Sequence, residues 1–295
     1  MRLLILSFIF FSLTAFGQSE LHEYVFNGGD EEGKKQAQKL DRYMFGYGMK
    51  GYPKKSDEQY RLIVLENSLI KYGLWLPGRI RAGRFHSPIG MYFPSAANFY
   101  ANGFLKIRAG DFDSTSAPFE IKNGNGSVSF SWRVPPFSCD AIFTLPEDSD
   151  MLLLKISLSD SSGKMKAYKV SLLCYPGSTA GGFENGLGLR NREIMTPKRT
   201  LSKKETYGLT KEESWVLFYD RYFDYANNLG EGPCAFIFNP LKVLKAEVQL
   251  SDYACRSFLT YPAGTDAEII LREFHHMTND SAVRDMKALE IKLKD

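Results

Sequence analysis

The chain has 295 residues, of which 44% are hydrophobic and 14% aromatic, so it is long enough to form one large domain with a substantial core. Its 37 basic and 34 acidic residues give a formal charge of +3. So small an excess excludes an electrostatic case for nucleic-acid binding, because proteins that bind nucleic acid concentrate basic residues on one face.

The N-terminus has the features of a secretory signal peptide. Arg2 precedes an apolar run over residues 3–16, and Ala15 and Gly17 provide the small residues that a cleavage site needs. The apolar run is short for a membrane span, and no later stretch approaches the length of a transmembrane helix. The sequence therefore predicts cleavage after Gly17 and a secreted or periplasmic protein without a membrane span, with an N-terminal anchor as the alternative.

Residues 18–58 are predicted to be a helical or loop segment that precedes the main domain. Within it, residues 30–44 predict a short helix, because Ala37, Leu40 and Met44 have helical spacing. Acidic residues come early in this stretch and basic residues late, which suits the helix dipole.

Residues 60–80 allow two interpretations. Ser56 with Gln59 resembles a capping box, which would begin a helix. The polar break Glu66-Asn67-Ser68 between two apolar runs, the second ending at Pro77-Gly78, instead favours two strands, and we prefer this interpretation.

The same residues resemble a known family. Val64-Leu65-Glu66-Asn67 through Leu76-Pro77-Gly78-Arg79-Ile80 is similar to the opening of galactose-mutarotase-like sandwich proteins, where a leucine-glutamate-asparagine hairpin leads to a proline-glycine-rich turn. The resemblance covers less than a tenth of the chain, and no motif here matches the family's catalytic histidine and glutamate. It implies a large β sandwich that handles sugars.

Residues 119–175 predict four consecutive strands. Val128, Phe130, Trp132 and Val134 alternate with polar residues, and a period of two places them on one face of a strand. The same pattern recurs in three further stretches, which contain Cys139 to Leu145, then Leu152, Leu154, Ile156 and Leu158, and finally Tyr168, Val170, Leu172 and Cys174.

Turn signals separate these strands and indicate antiparallel pairing. Asn123-Gly124-Asn125-Gly126 tolerates positive φ, Pro135-Pro136 ends a strand, and Asp160-Ser161-Ser162-Gly163 reverses the chain. The predicted fold class is all-β and mainly antiparallel, a large β sandwich or two packed sandwich halves over residues 59–295. One or two short helices are predicted near the termini.

The C-terminal end predicts a helical turn and a final strand. Residues 281–286 suggest the helical turn, and Leu289, Ile291 and Leu293 alternate as in a closing strand.

Four cysteines make an even set, which permits disulfides in an exported protein. Four thiols allow three pairings, and the sequence does not choose among them. Buried free thiols are the alternative, since most of the four lie in or beside apolar strand patterns. They are Cys139, Cys174, Cys234 and Cys255.

The first candidate ligand site is the block of residues 215–225. Sugars stack on aromatic rings and their hydroxyls bind carboxylates, amides and guanidinium groups, and this block supplies most of these residue types. Its candidates are Trp215, Tyr219, Asp220, Arg221, Tyr222, Asp224 and Tyr225. The alternatives are that Trp215 and Tyr219 are core residues, and that Asp220-Arg221 is an ion pair at a strand end.

The second candidate is the glycine-rich segment over residues 177–200. Long segments without regular structure often carry function, and two carboxylates at a suitable separation can act on a glycosidic bond. Its candidates are Glu184, Asn185, Arg190 and Arg192, with Glu193 as a further carboxylate.

Other catalytic and metal-binding signals are weak. His86 could act as a general base, although a packing role is the simpler interpretation. His275 and His276 are adjacent in an apparent strand, so their side chains point to opposite faces and do not chelate one metal. A calcium site through Asp220 and Asp224 matches no calcium loop. The sequence predicts no metal and no cofactor.

The predicted function is that of an exported β-sandwich protein which binds carbohydrate without catalysis. The alternatives are a glycan-active enzyme that uses carboxylates or His86, and a protein-interaction module of the cell envelope. Fold and compartment carry most of this hypothesis, and fold alone does not determine function.

Overall fold

The computed structural model describes residues 19–32, 35, 53–93, 103–174, 192–220, 233–251, 254–274 and 277–294. Within them, nearly all regular structure is antiparallel β. The strands are β1 (Glu20–Asn27), β2 (Glu58–Glu66), β3 (Lys71–Arg81), β4 (Arg84–His86), β5 (Gly90–Phe93), β6 (Leu105–Ala109), β7 (Phe112–Asp113), β8 (Phe119–Gly124), β9 (Ser127–Val134), β10 (Phe137–Thr144), β11 (Met151–Asp160), β12 (Ala167–Cys174), β13 (Arg192–Met195), β14 (Thr200–Leu201), β15 (Thr206–Gly208), β16 (Trp215–Asp220), β17 (Cys234–Phe238), β18 (Lys245–Leu250), β19 (Cys255–Pro262) and β20 (Ala267–Glu273).

The described strands form three sheets. A nine-stranded sheet has the order β14-β13-β16-β17-β20-β11-β10-β9-β8, and a six-stranded sheet has the order β15-β18-β19-β12-β6-β7. A five-stranded sheet has the order β1-β2-β3-β4, with β5 paired to β3. Every strand pairing described is antiparallel, which confirms the predicted fold class.

The core lies between the inner faces of these sheets. Aromatic rings cross from the six-stranded to the nine-stranded sheet: the centroids of Phe104 and Phe236 are 6.1 Å apart, and those of Phe112 and Trp132 are 6.4 Å apart. Inward residues of the five-stranded sheet, such as Leu74, belong to the same buried cluster. One continuous apolar core therefore joins all three sheets in a sandwich.

The predicted strands of residues 119–175 are confirmed as β8 to β12. Val128, Phe130 and Trp132 are buried, as the period-two pattern predicts. The turns follow the predicted chemistry, since Gly126 and Gly163 adopt positive φ values of 60° and 68°, which glycine tolerates at little cost.

The two-strand interpretation of residues 60–80 is also confirmed. β2 and β3 form a hairpin, and the Asn67 side chain organises its turn by accepting hydrogen bonds from the backbone N–H groups of Leu69 and Ile70. The Asn67 amide also donates to the carbonyl oxygens of Pro146 and Ser149. This asparagine thereby holds the hairpin against the turn between β10 and β11.

The N-terminal segment contains a strand that the sequence did not predict. β1 pairs with β2 over its full length, from Glu20 opposite Glu66 to Asn27 opposite Gln59. Its side chains are mostly polar and only partly buried, because it lies at the end of its sheet. Glu31 and Glu32 are helical, and most of the predicted helix lies outside the described residues.

The predicted closing strand at residues 289–293 is wrong. Asn279–Lys294 form one helix, α1, which begins where the hydroxyl oxygen of Thr278 accepts a hydrogen bond from the backbone N–H of Ser281. Ala282, Met286 and Leu289 lie on one helical face and pack against the outer face of the nine-stranded sheet. The described part of the chain contains no helix with the length and apolar character needed to cross a membrane.

Candidate functional site

The two candidate segments of the sequence meet at the pairing of β13 with β16. Arg192 lies opposite Asp220, and Glu193 lies opposite Tyr219. Because residues opposite one another share a face of the sheet, Arg192 and Asp220 point to one side and Glu193 and Tyr219 to the other. Residues that are 26 and 28 positions apart in the sequence are therefore direct neighbours in the fold.

The side that holds Arg192 and Asp220 is the inner face of the sandwich. Ile194 and Phe218, two residues further along the same strands, belong to the main core, and Arg192 and Asp220 are each only 4% exposed. An oppositely charged pair on adjacent strands is favourable when buried only if its remaining polar atoms also find partners. Each of the two residues has at least one interaction within the chain.

Glu273 adds a third ionisable group to the same face. It is 6% exposed and lies opposite Cys234 at the end of β20. Leu271, two residues earlier, is a core residue, so Glu273 occupies an inward position of the strand. Arg192, Asp220 and Glu273 therefore lie at one end of the sandwich, which we call the Asp220 end.

The Asp220 end affects the ionisation of neighbouring groups. Burial raises the pKa of the Tyr72 phenol well above its usual range, and the nearby Glu273 carboxylate raises it further. The Tyr72 hydroxyl donates to the carbonyl oxygen of Asp150 at 2.7 Å and accepts from the backbone N–H of Glu273 at 3.3 Å. Tyr72 thus stays neutral and holds the end of β20 in place.

The outer face beside this site is occupied by the start of helix α1. The Tyr219 hydroxyl donates to a carboxylate oxygen of Glu193 at 2.6 Å. The side-chain amide of Asn279 donates to the backbone carbonyl oxygen of Asp220 at 2.6 Å. These contacts fix the end of β16 relative to the helix.

Trp215 requires a correction as a ligand-binding candidate. Its side chain has no exposed surface and packs with Leu217 and Met286 beneath helix α1. A sugar cannot stack on a ring that the helix covers, so Trp215 is a core residue. Tyr219 is 7% exposed and its ring belongs to the same buried cluster. Its hydroxyl makes the hydrogen bond to Glu193 described above.

Seven sequence candidates lie outside the described residues. They are Glu184, Asn185, Arg190, Arg221, Tyr222, Asp224 and Tyr225. In the sequence, three of them precede Arg192 by no more than eight residues, and four of them follow Asp220 by no more than five.

His86 lies in a different part of the fold. It ends β4 in the five-stranded sheet, and its Nδ1 is 3.0 Å from the carbonyl oxygen of Ser116. Since a carbonyl oxygen only accepts hydrogen bonds, Nδ1 carries the proton in this contact. Within the described ranges, no cluster of three or more His, Cys, Asp and Glu side chains is arranged to hold a metal ion.

The sequence interpretation missed Glu273. The available signal was a charged residue at the inward position of an alternating strand, after Ile269 and Leu271. A carboxylate where an apolar side chain is expected is unusual, because burying a charge is costly.

A surface cavity of roughly 350 Å³ lies at the opposite end of the sandwich. Its lining includes Arg133, Pro135, Phe137 and Asp160, at the turns that follow β9 and β11. The Asp160 carboxylate is occupied within its own turn, where it accepts hydrogen bonds from the backbone N–H groups of Ser162 and Met165. This cavity therefore offers few polar groups to a ligand.

No protein-family model matches the chain, and no curated protein matches its sequence. Among solved structures, the chain is similar to a TPR-domain containing protein from Parabacteroides distasonis, with 11% identity, a TM-score of 0.46 and coverage of 75% of this chain and 48% of that one. A putative aldose 1-epimerase from Escherichia coli K12 has 7% identity, a TM-score of 0.43 and coverage of 72% and 98%.

The GH36 alpha-galactosidase AgaB from Geobacillus stearothermophilus has 8% identity and a TM-score of 0.40, with coverage of 72% of this chain and 39% of that one. The chain thus spans about half the length of the Parabacteroides protein and about two-fifths of the galactosidase.

Proposed function

We propose that this protein is an exported carbohydrate-binding protein whose ligand site lies at the Asp220 end of the sandwich. The observation that carries this proposal is the burial of Arg192, Asp220 and Glu273 on the inner face of one sheet end. Ionisable groups are expensive to bury, and they are concentrated at functional sites. The signal-like N-terminus supports export.

The cross-strand neighbours Arg192 and Asp220 connect the two candidate segments to the nine-stranded sheet. Arg192 begins β13 and Asp220 ends β16, so the chain segments that precede the first and follow the second depart from one point of the sheet. Segments mounted on a rigid sheet are the usual carriers of binding residues. The pairing of Arg192 with Asp220 therefore joins the two candidate segments, residues 177–200 and 215–225, at one point of the sheet.

The chemistry of these segments suits a sugar. Tyr222 and Tyr225 supply aromatic faces, and Asp224 and Arg190 supply charged groups that bind hydroxyls. Tyrosine combines a large rigid contact area with a polar end, and such residues dominate the energy of many binding sites. A neutral or acidic oligosaccharide is the ligand class that this set of residues favours.

Tyrosine replacement on a glycan array tests the proposal. We expect the full chain to bind at least one polysaccharide, and Tyr222→Ala and Tyr225→Ala to weaken this binding by about thirtyfold, equivalent to about 2 kcal/mol. Titration calorimetry with the retained glycan measures the loss of affinity.

The matched control is Tyr207→Ala, which removes a tyrosine from β15 in the six-stranded sheet. This variant should bind the glycan as the natural chain does. The proposal fails if no polysaccharide is retained, or if both Tyr222→Ala and Tyr225→Ala bind with unchanged affinity.

A glycan-active enzyme is the second candidate, and one observation favours it. Asp220 and Glu273 are two buried carboxylates at inward positions of the same sheet end. Paired carboxylates are the usual acid and base of glycoside cleavage. Release of sugar products from a polysaccharide panel, lost in Asp220→Asn and in Glu273→Gln, would support this function, and binding without product release supports the first candidate.

A further inference from the structure

Three of the four cysteines converge at the Asp220 end. Cys174 ends β12, Cys234 begins β17 and Cys255 begins β19. All three are at most 1% exposed and point into the core between the sheets, and they are free thiols in this structure. The sequence left three ways of pairing all four cysteines open, whereas this arrangement allows only one disulfide, formed by two of the three thiols at this end.

Cys174 and Cys234 face each other across the two sheets. The backbone N–H of Leu173 donates to the carbonyl oxygen of Phe104 at 3.0 Å, and the Phe104 ring packs against Phe236. These contacts bring the end of β12 over the start of β17. The Cys174 thiol lies within hydrogen-bonding reach of the Cys234 thiol and also of the Cys255 thiol.

Cys255 lies opposite Cys174 on the adjacent strand and its thiol is also within reach, but the geometry of this strand pair is less suited to a disulfide. Since the N–H of Leu173 points toward β6, the backbone groups of Cys174 point toward β19. The Cys174–Cys255 pair is therefore of the hydrogen-bonded kind, with Cα atoms about 5.5 Å apart and Cβ atoms near the upper end of the cross-strand range, about 5.5 Å. A disulfide needs Cβ atoms about 3.5–4.5 Å apart.

Cys139 is distant from the other three thiols. It lies on β10, where its neighbours across the sheet are Trp132 and Leu158. Its neighbour on β12 is Tyr168, six residues before Cys174, which is roughly 20 Å along a strand. Cys139 is thus an isolated core thiol.

We propose that Cys174 and Cys234 form a disulfide that joins the six-stranded sheet to the nine-stranded sheet. The bond forms by exchange with an external disulfide such as glutathione disulfide. One cysteine thiolate attacks the glutathione disulfide and releases the first glutathione, and the second cysteine thiolate then attacks the mixed disulfide and releases the second. The two protons of the cysteine thiols are transferred to the two glutathione thiolates.

The exchange takes place before the core closes. Both thiols are shielded from solvent in the folded chain, so an external disulfide cannot reach them. Burial also raises the pKa of the Cys234 thiol to about 11, so little of the reactive thiolate is present at neutral pH. The folded, reduced protein should therefore resist oxidation, whereas the refolding chain should not.

Refolding in a glutathione redox buffer tests this disulfide without relying on export or on any ligand. The full chain is reduced and unfolded, refolded with glutathione and glutathione disulfide, alkylated and digested without reduction. We expect mass spectrometry to find one linked peptide pair containing Cys174 and Cys234, and two alkylated cysteines, Cys139 and Cys255. The oxidised protein should unfold at a higher temperature than the reduced protein.

Two single replacements complete the test. Cys139→Ala, a matched control for removal of a buried thiol, should retain the Cys174–Cys234 link and the difference in unfolding temperature. Cys234→Ala should abolish both. Four alkylated cysteines after refolding, or a link through Cys139 or Cys255 in the natural chain, would overturn the proposal.

Discussion

Two buried carboxylates, Glu213 and Asp220, lie seven residues apart and have different surroundings. Glu213 has no exposed surface, and Asp220 is 4% exposed. Glu213 lies just before β16, and its hydrogen-bond partners come from the stretch of chain between β13 and β16. Asp220 ends the same strand, opposite Arg192, at the point where the chain continues into a predicted ligand-binding segment.

The partners of Glu213 explain its burial completely. Its oxygens accept hydrogen bonds from the hydroxyl of Thr196 at 2.6 Å, the Nε of Arg199 at 3.0 Å and the backbone N–H of Thr210 at 2.8 Å. Burial alone would raise the pKa of Glu213, but these hydrogen bonds and the Arg199 charge outweigh it and lower the pKa below the usual value. Glu213 thus ties the turn after β13 to the segment before β16.

The comparison shows that burial of a charge does not by itself identify a functional site. A buried carboxylate whose donors all come from one local region stabilises that region. A buried carboxylate at a sheet end that also holds a second buried carboxylate and an arginine fits a site whose charges are kept for function. Asp220 belongs to the second kind under the proposed function.

The largest expected difference between the two carboxylates is in stability. Glu213→Gln turns an amide N–H₂ toward an N–H donor, either Nε of Arg199 or the backbone N–H of Thr210, so we expect a loss of about 3 kcal/mol in the free energy of unfolding. Asp220→Asn should cost less than about half of that, because functional-site charges are often poorly optimised for stability. Urea unfolding of both variants measures the difference, and equal losses would remove the distinction.

A smaller effect is expected on the outer face beside the site. Tyr219→Phe removes the hydrogen bond to Glu193 and leaves the ring in its packed position, so the free energy of unfolding should fall by about 1 kcal/mol. Glycan binding should not change, since the hydroxyl points away from Asp220. A loss of binding in this variant would mean that the ligand contacts the outer face.

The smallest effect is expected from a carboxylate remote from both regions, Asp113. Burial raises its pKa, but hydrogen bonds from Thr115 and the charges of Arg108 and Lys106 outweigh this and lower the pKa to about 2. A lowered folded-state pKa means that Asp113 contributes stability above about pH 4, and that this contribution is lost as the pH falls toward 2.

Asp113→Asn should therefore make the unfolding temperature less sensitive to pH between 4 and 2. Thermal unfolding at several pH values measures this slope. Asp160→Asn does not serve as a control, because the pKa of that carboxyl is also lowered. Glu247→Gln provides the control, because it removes a carboxylate from β18 of the same six-stranded sheet.

Part of the fold was predictable because strand alternation is a local property. The alternating residues of β9 and β11 show which face is buried without any knowledge of their partners. β1 was not predicted, because an edge strand carries mixed polar side chains and depends on pairing with β2, which lies more than 30 residues away. Helix α1 was partly missed, because Leu289 also fits a strand pattern until Ala282 and Met286 are seen to share its packing surface.

The candidate site was predictable only in outline. The sequence suggested two separate candidate segments, residues 177–200 and 215–225, and the pairing of Arg192 with Asp220 makes their described parts neighbours in one sheet. The sequence could not show which side chains of these segments face the core and which face the outside of the sheet. Trp215 and Asp220 lie on opposite faces of one strand, and the helix that buries Trp215 comes more than 60 residues later.

The sequence by itself determined the all-β class and the position of the turns, because alternation and turn chemistry act between residues close in the chain. Only the tertiary structure decided which charges are buried together, which aromatic residues are covered and which thiols face each other. These properties depend on strands that are distant in sequence and become neighbours when the sheets pair and pack.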